Sequence, residues 1–298
     1  MTECGEAGKG FAERAFVDNM APKVLLGSRS MSDPYANLAA EDEALQARIA
    51  DAMDARCLDP AQIELRRSYL GALDLPENAF AVEFGSGTGH VTRDLIEMAG
   101  AGLAHGIEPS PVMVARAQAH FSGDHRLTFA TGDAKATDLE DASVDMVLMH
   151  TLLCHVPGPE DVVREAWRVL KPGGILAICD GDYDTATAQI ADFDPLDQLI
   201  RFMIDQNATN LWIMRQISGM LSEQGFELGR RRGHAYVAEG DATYFLTVID
   251  RGADRMVETG LLFPATAEAL KAEARARVEA DRFFGFMSYV SQIAKKPG

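Results

Sequence analysis

The 298-residue sequence predicts an α/β protein built on a parallel sheet, with helical segments before the sheet and after its fifth strand. Three observations predict it. Short apolar runs alternate with amphipathic helical stretches between residues 79 and 180. The first of those runs stops abruptly in a cluster of glycines. The composition, 47% hydrophobic and 24% charged, belongs to a chain that folds and buries a large core.

Taken in order, residues 1 to about 30 are rich in glycine and charge, lack periodicity and read as a loose arm. Leu38, Leu45, Ile49 and Met53 then recur at helical spacing. Asp59-Pro60 opens a second helix carrying Ile63, Leu65, Tyr69 and Leu70, which ends by Leu75-Pro76. Residues 79–84, 103–107, 127–130, 144–149 and 175–179 are the expected strands, with helices at 91–99, 111–121 and 160–170 between them. After Asp180 the alternation lapses. Residues 184–222 read as helical and rich in large apolar groups, among them Phe202, Met203, Trp212 and Met214. A strand starts near Gly225-Phe226-Glu227-Leu228, residues 241–282 are helical, and Phe283–Ile293 reads as a last strand, antiparallel at an edge or inserted. A terminal helix is the alternative. The expected organisation is therefore a helical cover over 1–75, a core over 76–183, a helical insertion over 184–222 and a completing segment over 223–298.

Charge and cysteines narrow the function classes. With 28 Lys+Arg against 45 Asp+Glu, the net charge of −17 argues against a nucleic-acid surface. Arg230-Arg231-Arg232 is the one basic patch, and it reads as a solvated edge. No segment offers the ~18–20 apolar residues of a membrane span, and the first residues read as neither a signal nor a transit peptide. Four scattered cysteines with no C-x-x-C pair fit a reduced, cytoplasmic setting and give no metal site.

The most informative segment is Glu83-Phe84-Gly85-Ser86-Gly87-Thr88-Gly89-His90. Alternate glycines after a strand let the backbone turn tightly and approach a ligand. A dinucleotide fingerprint needs glycine or alanine where His90 stands, and a P-loop needs Gly-Lys-Ser/Thr, which is missing.

An acid two residues before G-x-G-x-G resembles the first motif of class I S-adenosylmethionine-dependent methyltransferases. Further matches follow in order: Glu108-Pro109 after the second strand, Gly132-Asp133-Ala134 after the third, Ser143–His150 as the fourth, and Arg168–Gly174 as the helix and turn before the fifth. The chain is most similar to the small-molecule methyltransferases of the ubiquinone and menaquinone biosynthesis type. Cys154-His155-Val156 departs from that type's usual Glu-His-Val. The resemblance implies a Rossmann-like sheet of seven strands with S-adenosylmethionine as cofactor. It places Glu83 and the loop residues Gly85, Ser86, Gly87 and Gly89 on the cofactor. It gives Glu108 the ribose hydroxyls and Asp133 the adenine amine, beside Pro109, Gly132 and Ala134.

The remaining candidates follow from the chemistry. Methyl transfer is an in-line displacement driven by proximity, and a general base is needed only where the acceptor must lose a proton. Parallel sheets bind ligands beyond the carboxyl ends of their strands. That singles out His150, which also abuts the cofactor, with Thr151, His155, Asp180, Asp182 and Tyr183. His150, His155 and Asp182 are the candidate catalytic groups. Thr151, Asp182, Tyr183, Trp212 and Arg215 are the candidate substrate contacts, the last two in an insertion that forms a lid. From the N-terminal helices Tyr35 and Arg66 are placed to reach the cofactor. Acids after the fifth strand suggest a small, neutral or cationic acceptor, and the aromatic C-terminal run suggests pairing across a homodimer. Two rival readings are an NAD(P)-dependent oxidoreductase and an S-adenosylmethionine-binding protein without activity.

Overall fold

The structure, a computed structural model, describes residues 33–298 apart from residues 239 and 241. The N-terminal arm read from the sequence lies outside the described residues. A single 3-10 turn, Leu38–Ala40, precedes helices α1 (Glu43–Leu58) and α2 (Pro60–Leu70). The alternating region is β1 (Phe80–Phe84), α3 (His90–Glu97), β2 (Leu103–Glu108), α4 (Pro111–His120), β3 (Leu127–Thr131), β4 (Val144–His150), α5 (Pro159–Val169) and β5 (Leu170–Thr187). Then come α6 (Pro195–Asn207), α7 (Ile213–Gln224), β6 (Glu227–Ala238), α8 (Thr243–Glu258), α9 (Pro264–Glu279) and β7 (Gly285–Lys295).

Helix starts are written locally. Asp59 accepts from the amides of Ala61 and Gln62, Ser110 from Met113 and Asp194 from Leu196, each just before a proline in the first turn. The strands alternate by face. On β4, Met146 and Leu148 join one buried core, while Val147 and Met149 join the other. Helices cover both faces of the sheet, which is why the central strands are apolar throughout.

The seven strands run β3-β2-β1-β4-β5-β7-β6, parallel from β3 to β5, with β7 antiparallel to both neighbours. This is the expected α/β sheet. The order reverses between β1 and β4, so the loops after those two strands diverge and open a crevice.

Three sequence expectations change. The fifth strand extends well beyond 175–179, to Thr187, and the helices of the insertion begin only at Pro195. The C-terminal run is an antiparallel strand, as expected, and of the two expected places it takes the inserted one, between β5 and β6 and hydrogen-bonded on both sides. It offers no free edge for pairing with a second copy, so the basis for the expected dimer is gone. Arg230, Arg231 and Arg232 lie on β6, the sheet edge, where charge discourages unwanted strand pairing.

The N-terminal helices are locked to the core by charge. Arg66 on α2 is 2% exposed and donates from Nε to Asp94 Oδ2 on α3 at 2.6 Å, and from Nη2 to the Cys57 carbonyl at 2.6 Å. Among the described residues, Cys57, Cys154 and Cys179 are free and buried, and no helix is long and apolar enough to cross a membrane.

Candidate functional site

The crevice is a groove of about 450 Å³ between the ends of β1, β2 and β4 and the segment Tyr35–Ala39. Seven residues assigned to the cofactor line it: Tyr35, Gly85, Glu108, Pro109, Gly132, Asp133 and Ala134. Thr151, assigned to the substrate, lies on this groove instead, just past β4.

The glycine loop is shaped by two separate demands. Gly85 turns at φ +72°, and a Cβ there would come within 2.6 Å of Leu152 on the facing wall of the groove. Gly89 opens α3 at φ +86°, and a Cβ there would strike the Phe129 ring at 2.8 Å and Ala117 at 2.9 Å. The first keeps the groove open, whereas the second lets helix and strand pack. Ser86, Gly87 and Gly89 hold the loop without lining the groove. Gly87 donates its amide to Glu108 Oε2 at 3.0 Å, and Ser110 donates to Oε1 at 3.1 Å. Burial pushes the Glu108 carboxyl above its usual range, and those two amides oppose the rise.

Glu83 is not on the groove. It is 2% exposed and accepts from the Thr92 hydroxyl on α3. Burial pushes its carboxyl well up, with Asp94 adding to the rise and Thr92 and Arg66 opposing it. The folded chain therefore keeps the Glu83 proton to a higher pH than the unfolded chain, whose carboxyl titrates near about 4.3. The associated stability is complete below that value and is lost as pH rises through the folded pKa. Replacing Glu83 by Gln, which keeps an acceptor for Thr92, is expected to raise the melting temperature at pH 7–8. The gain should close toward pH 4. Equal melting temperatures across that range would contradict it.

Arg66, expected at the cofactor, is spent in the buried pair with Asp94. His150, expected at both cofactor and acceptor, is 3% exposed beneath α2, with Nδ1 2.9 Å from the Tyr69 hydroxyl. Burial, with Arg56 and Arg66 nearby, drives its pKa well down, so it stays neutral and structural. Asp182 is bridged twice by Arg215, at 2.8 and 3.1 Å, and Asp184 by the same guanidinium at 3.3 Å. Neither Asp182 nor Arg215 lines the groove or the adjoining cavity, and Trp212 is half exposed. Asp180 is buried and accepts from the amides of Cys154 and Gly181. The acids that suggested a cationic acceptor are thus internally occupied.

A second, smaller cavity of about 70 Å³ adjoins the groove, and Tyr35 and His155 line both spaces. Their rings stack with centroids 4.4 Å apart and 21° between planes. His155 Nδ1 lies 2.9 Å from Asp33 Oδ2, and the same oxygen accepts from the amide and hydroxyl of Thr209 in the insertion. A carboxylate on Nδ1 fixes the tautomer that leaves Nε2 as the basic nitrogen. The cavity behind this wall also holds the expected Tyr183, with Ile200, Met203 and Ile204 from the insertion. The insertion thus contributes part of the cavity's wall.

The sequence reading missed Asp33, Arg56 and one face of α8. Tyr244, Phe245, Val248 and Arg251 follow one another at helical spacing, and all four line the cavity. That stripe, apolar with one arginine, was the available signal. Away from the groove, Asp54, His90 and His120 bring ligand atoms within 4.8 Å of one another. Arg116 already pairs with Asp54 Oδ2 at 2.6 Å, which balances part of the charge a metal would draw on.

The groove's chemistry selects among ligands. It offers the carboxylates of Glu108 and Asp133 and apolar walls from Leu38, Met53, Leu152 and Val156. Its one lysine among the described residues, Lys135, donates Nζ to the Pro157 carbonyl. Such a surface accepts hydrogen bonds from hydroxyls, amines and ammonium groups and lacks the donors a pyrophosphate needs. S-adenosylmethionine fits these residues and a nicotinamide dinucleotide does not.

The comparisons agree. Residues 82–178 match the methyltransferase domain family. The chain is 30% identical over 171 residues to an uncharacterised 37.1 kDa protein in a Streptomyces fradiae transposon, covering 56% of this chain and 50% of that one. It is 25% identical over 194 residues to the mitochondrial 2-methoxy-6-polyprenyl-1,4-benzoquinol methylase of Caenorhabditis elegans, covering 62% and 68%. Against the curated relatives it matches, the chain generally spans about half their length or less. Among solved structures, a Bacillus halodurans protein assigned as a methyltransferase superposes with TM-score 0.55 at 21% identity, covering 78% of this chain and 98% of that one. The [4+2]-cyclase SpnF superposes with TM-score 0.53 at 20% identity, covering 85% and 93%. These two likenesses are of fold.

Proposed function

We propose that this chain, which carries a methyltransferase domain over residues 82–178, binds S-adenosylmethionine in the groove and methylates a small molecule in the adjoining cavity. The observation that carries the reading is the shared wall. Tyr35 and His155 face both spaces, so a donor on one side and an acceptor on the other meet at one pair of side chains. Because a cyclase shares the fold, the fold alone does not carry the activity; the site does.

When bound, S-adenosylmethionine supplies an electrophilic methyl group on a sulfonium centre. Glu108, held rigid by the Gly87 and Ser110 amides, takes the ribose hydroxyls, and Asp133 takes the adenine amine. Leu38, Met53 and Leu152 exclude water from the groove. His155, oriented through Nδ1 by Asp33, uses Nε2 to take the proton an acceptor hydroxyl, thiol or amine releases. Thr209 ties the insertion to the same carboxylate, so the insertion and the base share one anchor.

The net charge of −17 and the small volume of the cavity, about 70 Å³, favour a small molecule over a nucleic acid. Free buried cysteines support a reducing, cytoplasmic setting. The test is S-adenosylhomocysteine release with a panel of small phenols, thiols, amines and organic acids. Turnover with at least one acceptor is expected. Tight S-adenosylmethionine binding with no turnover across the panel would favour a binding protein without activity.

A further inference from the structure

The small cavity holds two guanidinium groups and, among the described residues, no carboxylate. Arg56, on α1, has its Nε fully buried with no hydrogen-bond partner. Arg251, on α8, donates from Nη1 to the Tyr35 hydroxyl at 2.9 Å and from Nε to the Thr247 carbonyl at 3.2 Å. Neither forms an ion pair with a described residue, both line the one cavity, and the Arg56 charge works against that of Arg251. Such an arrangement is costly in a low-dielectric interior, where charge is normally paired.

The contrast lies within the same helical cover. Arg66, more deeply buried than either, is matched by Asp94. A chain with 45 Asp+Glu against 28 Lys+Arg has acids to spare, yet among the described residues none is paired with Arg56 or Arg251. The remaining walls are phenolic and apolar, from Tyr183, Tyr244, Met203 and Val248.

We propose that the methyl acceptor is a small organic acid whose oxyanion, a carboxylate or a phosphate monoester, sits between Arg56 and Arg251, with its apolar body against Met203 and Val248. This rests on the function proposed above and deepens it. A guanidinium is the side chain best suited to a planar oxyanion. Arg251 donates to Tyr35, and Tyr35 stacks on His155. Holding the anion on Arg251 thus places the rest of the molecule near the wall shared with the donor groove. The negative surface does not oppose this, because exposed charges are screened over about 8 Å while the half-buried arginines act at contact. The cavity, about 70 Å³, suits acids of modest size.

The experiment is calorimetric titration of the full chain, with S-adenosylhomocysteine present. The probes are butanoate, hexanoate, benzoate and phenyl phosphate, each paired with its uncharged counterpart: butanamide, hexanamide, benzamide and phenol. At least one acid should bind about tenfold more tightly than its counterpart. Arg56→Gln and Arg251→Gln should each remove about that factor. The carboxylate and phosphate arms show which oxyanion is read. Uncharged members binding as tightly as the acids would overturn the proposal. So would acid binding unchanged in folded Arg→Gln variants, or no acid bound at about 10 mM. If a Gln variant fails to fold, the wild-type comparison of acid with counterpart still decides. S-adenosylmethionine titrated into the same chain without S-adenosylhomocysteine separates the two ideas. Binding of it without acid binding sinks only this inference, while acid binding without it sinks the methyltransferase reading.

Discussion

Replacing His155 by alanine lowers turnover by about 10²–10⁴-fold, the usual worth of a positioned general base, while S-adenosylmethionine affinity changes far less. The expectation follows from geometry. His155 stands on the wall between the two cavities, stacked on Tyr35 and held through Nδ1 by Asp33 at 2.9 Å. Its free nitrogen is the basic one. Asp33 acts through His155 and is a positioning residue. Asp33→Asn keeps the size of the side chain but offers His155 an amide in place of the carboxylate. It should lower kcat less than His155→Ala with KM for S-adenosylmethionine nearly unchanged, and Asp33→Glu should restore part of kcat. A merely structural Asp33 would lower stability and leave kcat of the folded variant at the wild-type value. Turnover unchanged in His155→Ala would remove the base from the mechanism.

Glu108→Ala is expected to weaken S-adenosylmethionine binding by about 1–3 kcal/mol, roughly 5- to 150-fold. The loss has two parts. The ribose hydroxyls lose a carboxylate acceptor, and the amides of Gly87 and Ser110, which now donate to the two oxygens of Glu108 at 3.0 and 3.1 Å, lose theirs. Glu108→Gln separates them, since a carboxamide has one oxygen and can satisfy only one of the two amides. It should fall between wild type and Glu108→Ala. Both are read by direct titration. Unchanged affinity in both would mean that the ribose lies elsewhere.

Much of the donor groove was legible in the sequence because its residues stand at strand ends, where local grammar fixes them. Gly85, Glu108 and Asp133 each follow an apolar run, and the parallel sheet brings those ends together. The acceptor side was less legible because long-range pairings make it. Asp33 meets His155 across 122 positions, and Tyr35 meets Arg251 across 216. No periodicity states which distant helix faces a loop. The N-terminal arginines show the difference. Arg66 and Arg56 both lie on helices that cover the sheet, yet only the fold reveals that Asp94 takes the first and a cavity takes the second. His150 and Asp182 occupy the positions at which strand ends usually carry chemistry. One is sealed under Tyr69, and the other is paired with Arg215. Asp180–Asp184 read as a cluster of free acids because the sequence does not show Arg215 returning from α7 to meet them.

The central claim is that the groove holds S-adenosylmethionine, and calorimetric titration of the wild-type chain with S-adenosylmethionine and with NADH tests it most directly. The carboxylates of Glu108 and Asp133, and the absence of an uncommitted lysine or arginine among the described groove residues, predict micromolar binding of S-adenosylmethionine, about −8 kcal/mol, and no measurable binding of NADH. Micromolar binding of NADH with none of S-adenosylmethionine would contradict the account.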